Sequence, residues 1–198
     1  MLQIDYYLSP LSPWVHLAGT RPAQIAAAQG ATLVYKPVDP PALFARTGGK
    51  MLAERHESRQ TYRLQELRRQ AAKAGRKIHL KPQHWPTNPA PACYAIIAAQ
   101  EAGGGDLAGL VHAITSACWE EQRNIADDAV IEDCLSAHGF SPNLTMTGLM
   151  TGADTYARNL DHAVLAGVFG MPFFVVGEER FWGQDRLDDL EAYLAAAT

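Results

Sequence analysis

Strand-like patterns occur only near the two ends of this chain, with a long helical stretch between them, and that distribution narrows the possible folds more than any other feature. Leu2, Ile4, Tyr6 and Leu8 alternate with Gln3, Asp5 and Tyr7, the period of a strand with two unlike faces. A polar, proline-bearing turn, Leu8 to Trp14, then leads into Trp14, Leu17 and Ala18 at helical spacing. After Gly19-Thr20-Arg21-Pro22, a second helical piece runs from Ala23 to Gln29 and closes at Gly30. Ala31 to Val38, with Leu33, Val34 and Tyr35, reads as a second strand, so the opening is a parallel βαβ unit. At the other end, Pro172 to Val176 and Arg180 to Trp182 flank Gly177-Glu178-Glu179, the signature of a β-hairpin. Leu187, Leu190 and Leu194 mark a terminal helix, with Asp185 placed to cap it.

The middle, from Pro41 to about Arg158, carries helical patterns over Tyr62 to Ala74, Ala92 to Ala102, Asp106 to Cys118, Asp127 to Ala137 and Thr151 to Leu165. Breaks fall at Gly48-Gly49, in the proline-rich segment Leu80 to Pro91 and at Gly103-Gly104-Gly105. No fixed period recurs. The order βαβ, helices, ββα is an α/β thioredoxin-like plan with a large all-helical insertion. Residues 1–40 and 159–198 are expected to form the thioredoxin-like domain and residues 41–158 the helical insertion. A chain of 198 residues buries about 70% of its unfolded surface and needs no disulfide or metal staple.

Composition removes several classes of function. A net charge of −4, from 17 Lys+Arg against 21 Asp+Glu, gives no electrostatic case for nucleic acid or an acidic membrane surface. Cys93, Cys118 and Cys134 lie far apart with no C-x-x-C, the usage of a reducing compartment. No signal-peptide pattern opens the sequence and no apolar run reaches the length of a membrane span, so the expectation is a soluble cytoplasmic protein. The seven histidines are scattered and His79 and His84 do not share a helix face, so no metal site is expected. Neither Ser9 nor Ser12 sits in a G-x-S-x-G elbow, and no glycine-rich phosphate loop follows a strand.

Two positions invite chemistry. Ser12 is a favoured N-cap type and Pro13 suits the first helical position, which puts a hydroxyl among backbone N–H groups that attract anions. Capping alone would explain it equally well. Pro172 cannot donate to a sheet ladder, so it belongs at a strand's first residue or a special turn. In the thioredoxin plan it is a cis-proline facing the first helix; a trans-proline starting an edge strand is the other reading.

Asp5-Tyr6-Tyr7, Leu11-Ser12-Pro13-Trp14, the run Gly167 to Pro172 (GVFGMP) and the run Phe181 to Arg186 (FWGQDR) together resemble the 2-hydroxychromene-2-carboxylate isomerases. These enzymes are grouped with the kappa-class glutathione transferases in the DsbA-like thioredoxin superfamily. The resemblance runs end to end and includes Arg59 to Leu67, His84-Trp85-Pro86, Trp119-Glu120 and Asn159. It implies a glutathione-dependent cis/trans isomerase of aromatic-compound degradation, acting on 2-hydroxychromene-2-carboxylate or a related aromatic carboxylate. Reversible thiolate addition to a conjugated double bond permits rotation and consumes no glutathione.

Further implications concern individual residues. Ser12 takes the place of the redox cysteine of related oxidoreductases and hydrogen-bonds the glutathione sulfur. Met171 offers its backbone beside cis-Pro172, Gln184 and Asp185, with Arg186 in the same motif, hold the γ-glutamyl end, and Arg59 lies near the glycyl carboxylate. Tyr6, Trp85 and Asn159 fall on the substrate side, and the frequent dimers of the family leave a homodimer open. Ser9 stands where many relatives carry aspartate, Gly49 where kappa-class enzymes carry a glutathione-contacting asparagine, and Met171 and Phe173 are bulkier than usual around the proline. A kappa-like transferase or peroxidase, and a thioredoxin-fold binding protein without catalysis, share these features. A disulfide oxidoreductase does not, because Ser12 forms no mixed disulfide.

Magnitudes support a hydroxyl in this role. Lowering a thiol pKa from about 8.5 to about 6.5 takes roughly 2.7 kcal/mol. A helix N-terminus supplies about 0.3 to 1 kcal/mol, at best about 2. A hydrogen bond to a charged group supplies about 1.5 to 3 kcal/mol. Helix and hydroxyl together suffice, which casts Ser12 as a thiolate stabiliser and not a nucleophile.

Overall fold

The structure, a computed structural model, describes residues 2–197. Strand β1 (Gln3–Leu8) lies in the middle of a four-stranded sheet. It pairs in parallel with β2 (Thr32–Pro37) on one side and antiparallel with β3 (Phe173–Val176) on the other, and β4 (Glu179–Trp182) completes the order β2-β1-β3-β4. The crossover between β1 and β2 consists of α1 (Pro13–Ala18) and α2 (Arg21–Ala28). Gly19, at φ 56°, separates them, and Pro22 sits in the first turn of α2, where it costs no hydrogen bond. The expected hairpin is present, with Gly177 at φ 60° in its two-residue turn.

Strand β1 departs from strict two-faced alternation. Tyr6, Tyr7 and Leu8 are all buried, at the end of the strand that leads into the Leu8 to Trp14 turn. Tyr6 stacks on Phe174 (centroids 4.7 Å apart) and tilts against Tyr35 (5.5 Å), a cross-strand aromatic row through three strands.

Between β2 and β3 come α3 (Pro40–Thr47), α4 (Glu57–Ala74), α5 (Ala90–Ala102), α6 (Leu107–Trp119), α7 (Asp128–Ala137), the short α8 (Leu144–Thr147) and α9 (Leu149–Leu165). Helices α5 and α9 pack on each other and on β2, and α1 packs against α4 and α6. One apolar core runs from the sheet into these helices; a small second cluster, Leu17, Leu67 and Ala71, joins α1 to α4. The helical segment therefore shares the core of the sheet, and the boundary expected between residues 158 and 159 falls inside α9. Gln100 of α5 reinforces the junction: its side-chain amide donates to the Tyr35 carbonyl (3.0 Å) and its oxygen accepts from the Tyr35 N–H (2.8 Å). At Tyr35 the open edge of β2 is thereby satisfied by a side chain in place of another strand. After β4, a 3₁₀ turn, Gln184–Arg186, leads into α10 (Leu187–Ala197), which packs on β4 and α2. Among the described residues no helix is long and apolar enough to cross a membrane.

Candidate active site

Ser12 occupies the N-cap position of α1 with extended backbone angles (φ −87°, ψ 119°), and Pro13 follows at the first helical position. Its carbonyl accepts from Val15 (3.1 Å) and His16 (3.2 Å), which starts the helix. The hydroxyl makes no capping bond; Oγ donates instead to the carbonyl of Met171, 3.1 Å away. That is a correction to the capping reading. The Met171-Pro172 peptide is cis, and the Met171 carbonyl lies at the helix start.

The turn is clamped from several sides. The Ser12 N–H donates to Ser9 O (2.9 Å), and two tryptophans of the helical segment donate to the next carbonyls: Trp119 Nε1 to Pro10 O (3.1 Å) and Trp85 Nε1 to Leu11 O (3.0 Å). On the other side the Gly183 N–H donates to Pro172 O (3.0 Å), which ties the cis-proline to the loop carrying Gln184, Asp185 and Arg186. Gly183 has φ 112°, and a Cβ there would lie 2.4 Å from the Asp185 carboxylate, so glycine is required. Asp185 caps no helix: it lies within the 3₁₀ turn, its carboxylate 3.4 Å from the Arg186 guanidinium.

A cleft of about 1050 Å³ opens over this turn. Ser12, Arg59, Trp85, Met171, Gln184, Asp185 and Arg186 all line it. Pro172 lies behind Met171, buried. Two expected substrate-side residues are elsewhere. Tyr6 is sealed in the aromatic row of the sheet, and burial drives its phenol pKa well above the usual value. Asn159 is buried on α9, its Nδ2 donating to Pro37 O (3.1 Å) at the end of β2. Both side chains support the sheet and neither borders the cleft. Gly49 also lies outside the lining, and a Cβ there would come within 2.6 Å of the Phe44 ring.

The cleft also presents Phe169, Trp182, Arg55 and Arg63, which were given no role from the sequence. Phe169 and Trp182 stand edge to face (4.9 Å) and partly exposed at its mouth. Arg55, Arg59 and Arg63 form a basic row on and just before α4. Their spacing of four residues was readable as one helical face, but α4 begins at Glu57, five residues before the apolar pattern makes it visible.

Thiol chemistry by this chain's own residues is closed off. Cys93, Cys118 and Cys134 are free and buried, and burial pushes their thiols up to about 12, 12 and 11. Beneath the active turn, His16 is fully buried. Its Nε2 lies 3.0 Å from Lys77 O and 3.4 Å from Glu120, its ring stacks on His112 (5.8 Å), and burial lowers its pKa to about 4.

A sheet of this order, with a helix start facing a cis-proline, defines a thioredoxin-fold protein. The chain belongs to the family of the DSBA-like thioredoxin domain, whose model matches residues 3–195. It is 28% identical over 202 residues to a 2-hydroxychromene-2-carboxylate isomerase of Sphingobium xenophagum, covering 96% of this chain and 97% of that protein. Among solved structures it resembles a 2-hydroxychromene-2-carboxylate isomerase (TM-score 0.77, 22% identity, 98% of this chain and 95% of that one). It also resembles the cytosolic disulfide reductase DsbM of Pseudomonas aeruginosa, determined with GSH (TM-score 0.69, 20% identity, 99% and 98% coverage). Those two likenesses establish the fold.

Proposed function

We propose that this protein is a glutathione-dependent isomerase of 2-hydroxychromene-2-carboxylate or a related aromatic carboxylate. The observation that carries the reading is the Ser12 hydroxyl, held at a helix start against the Met171 carbonyl, where related oxidoreductases carry a cysteine. The end-to-end match to a named isomerase supports the same reading.

The donor set fits a tripeptide thiol. Ser12 Oγ–H, on leaving the Met171 carbonyl, is a donor for a sulfur anion, the carbonyl so freed an acceptor for a peptide N–H, Gln184 and Asp185 partners for an amino-acid end, and Arg59 a cation for a carboxylate. Glutathione, when bound, supplies a thiolate that adds reversibly to the conjugated double bond of the substrate and is released unchanged. Ser12 stabilises the negative charge on sulfur with a hydrogen bond, and the dipole of α1 adds to it. Trp85, Phe169 and Trp182 provide apolar wall for an aromatic ring and keep water from it. None of these residues needs to exchange a proton with carbon: thiolate addition makes the C=C bond single, rotation and expulsion of the thiolate restore it in the new geometry, and the hemiketal C–O bond of the chromene opens as its hydroxyl proton passes to the phenolic oxygen.

The test is turnover of 2-hydroxychromene-2-carboxylate with and without glutathione. The reading predicts isomerisation that needs glutathione and leaves its concentration unchanged. Accumulation of a stable conjugate would assign a kappa-like transferase instead, and binding without turnover a non-catalytic member of the fold.

A further inference from the structure

Three arginines, Arg55, Arg59 and Arg63, face one cleft, and among the described residues none of them forms an ion pair with a carboxylate. Like charges four residues apart on a helix are mutually destabilising. The same helix satisfies its charges elsewhere: Glu66 accepts from Arg69, Gln70 and Tyr62. Asp185, across the cleft, is paired with Arg186. Arg55 is partly committed, its Nε donating to Lys50 O (3.0 Å).

Arg63 stands apart from the other two. It is half-buried, and its guanidinium makes no hydrogen bond among the described residues. It lies over the ring of Trp85, 5.6 Å from the centroid. The indole N–H of Trp85 donates to Leu11 O, the carbonyl immediately before Ser12. A desolvated cation and a flat apolar surface are thus joined to the residue that would hold the sulfur. Burial, with Arg55 nearby, lowers the Arg63 pKa to about 10, the mark of a cation whose surroundings lack a counter-charge.

We propose that Arg63 and Trp85 form the subsite for the second substrate, a planar aromatic acid: the guanidinium takes its carboxylate and the indole face its ring. The proposal rests on the isomerase reading. There the two carboxylates of glutathione go to the Gln184-Asp185 loop and to Arg59, and Arg63 is left for an anion that glutathione does not supply. A guanidinium holds a carboxylate through two parallel N–H···O bonds, and its stacking on Trp85 fixes the plane in which they form. The electrophilic double bond of such an acid then lies beside Ser12 and not out toward the mouth of the cleft.

Calorimetric titration of the whole protein, without any thiol, with benzylidenepyruvate and with its methyl ester tests this directly. Wild type is expected to bind the acid at least about tenfold more tightly than the ester, the worth of a charge-assisted hydrogen bond. Arg63→Gln should bring the acid down to the affinity of the ester while changing the ester less than about twofold, and Arg63→Lys should keep part of the preference. Equal binding of acid and ester by wild type, undetectable binding of the acid, or equal losses for both in Arg63→Gln would overturn the subsite. If the preference for acid holds but glutathione is neither bound nor ionised, the isomerase reading fails and the subsite stands. If glutathione is ionised but acid and ester are alike, the reverse holds.

Discussion

The Ser12 hydroxyl donates to the carbonyl of Met171, 159 residues away in sequence, and not to the helix it caps. The bond closes the sheet end around the cleft and holds the hydroxyl pointed at the residue before the cis-proline. Ser12→Ala deletes one hydrogen bond between uncharged groups in a partly buried place. The expected cost is about 1 kcal/mol of unfolding free energy, read by urea denaturation. A loss above about 3 kcal/mol would mean that the serine serves mainly to hold the fold together.

The cysteines provide a second check. All three are buried with raised pKa values, so native protein should react with none of its thiols on the timescale of seconds, and unfolded protein with three. A fast-reacting thiol in the native state, counted with a chromogenic disulfide, would reopen the redox chemistry that a serine at position 12 forecloses.

Asn159 separates support from catalysis. Removing its side chain leaves the Pro37 carbonyl without its donor inside the core. Asn159→Ala should therefore cost about 1 to 3 kcal/mol of stability while leaving KM for the aromatic acid unchanged. A raised KM in a variant of undiminished stability would return Asn159 to the substrate side.

Stability should also fall on mild acidification, through His16. The folded protein keeps this imidazole neutral, with a pKa near 4, whereas the unfolded chain binds a proton near 6.5. Unfolding then takes up a proton between those values. The stabilisation is complete above about pH 6.5 and is lost as pH falls toward 4, by about 3 kcal/mol at most from this group. The Lys77 carbonyl, 3.0 Å away, favours the charged form but does not outweigh burial, Arg76 adds to the lowering, and His112, held low by burial and by Arg76, acts in the same direction. Denaturation curves at pH 7 and pH 5 should diverge less in His16→Gln than in wild type; equal divergence would remove His16 as the source.

Much of the fold was legible because the sheet strands and their connections carry local signals. Alternation marked β1, the Gly177-Glu178-Glu179 turn marked the hairpin, and the gap between the first two strands implied a parallel crossover. Helix α3 and the first turn of α4 were hidden: α3 opens on Pro40-Pro41, and the Glu57 to Thr61 turn is polar and shows no apolar stripe. At the site, Ser12, Met171 and the Gln184-Asp185-Arg186 loop converge as the motifs imply, because each is fixed by short-range backbone geometry. Tyr6 and Asn159 were misplaced for the opposite reason. A strand pattern names two faces but not their neighbours, here Tyr35 and Phe174 against Tyr6, and a helical pattern puts Asn159 on α9 without showing that its amide meets the Pro37 carbonyl. Arg63 was overlooked because its neighbour, Trp85, comes from a loop 22 residues further on, whose path no local signal predicts.

The central claim is that Ser12 stabilises a thiolate. It is tested most directly by following the ultraviolet absorbance of bound glutathione thiolate against pH in wild type and Ser12→Ala. Wild type is expected to hold the bound thiol at a pKa of roughly 6.5, against about 8.5 for the free thiol, with at least about half of that lowering lost in Ser12→Ala, since a hydrogen bond to a charged group is worth about 1.5 to 3 kcal/mol. Bound glutathione that titrates near its free value in wild type, or identically in the two proteins, would contradict it.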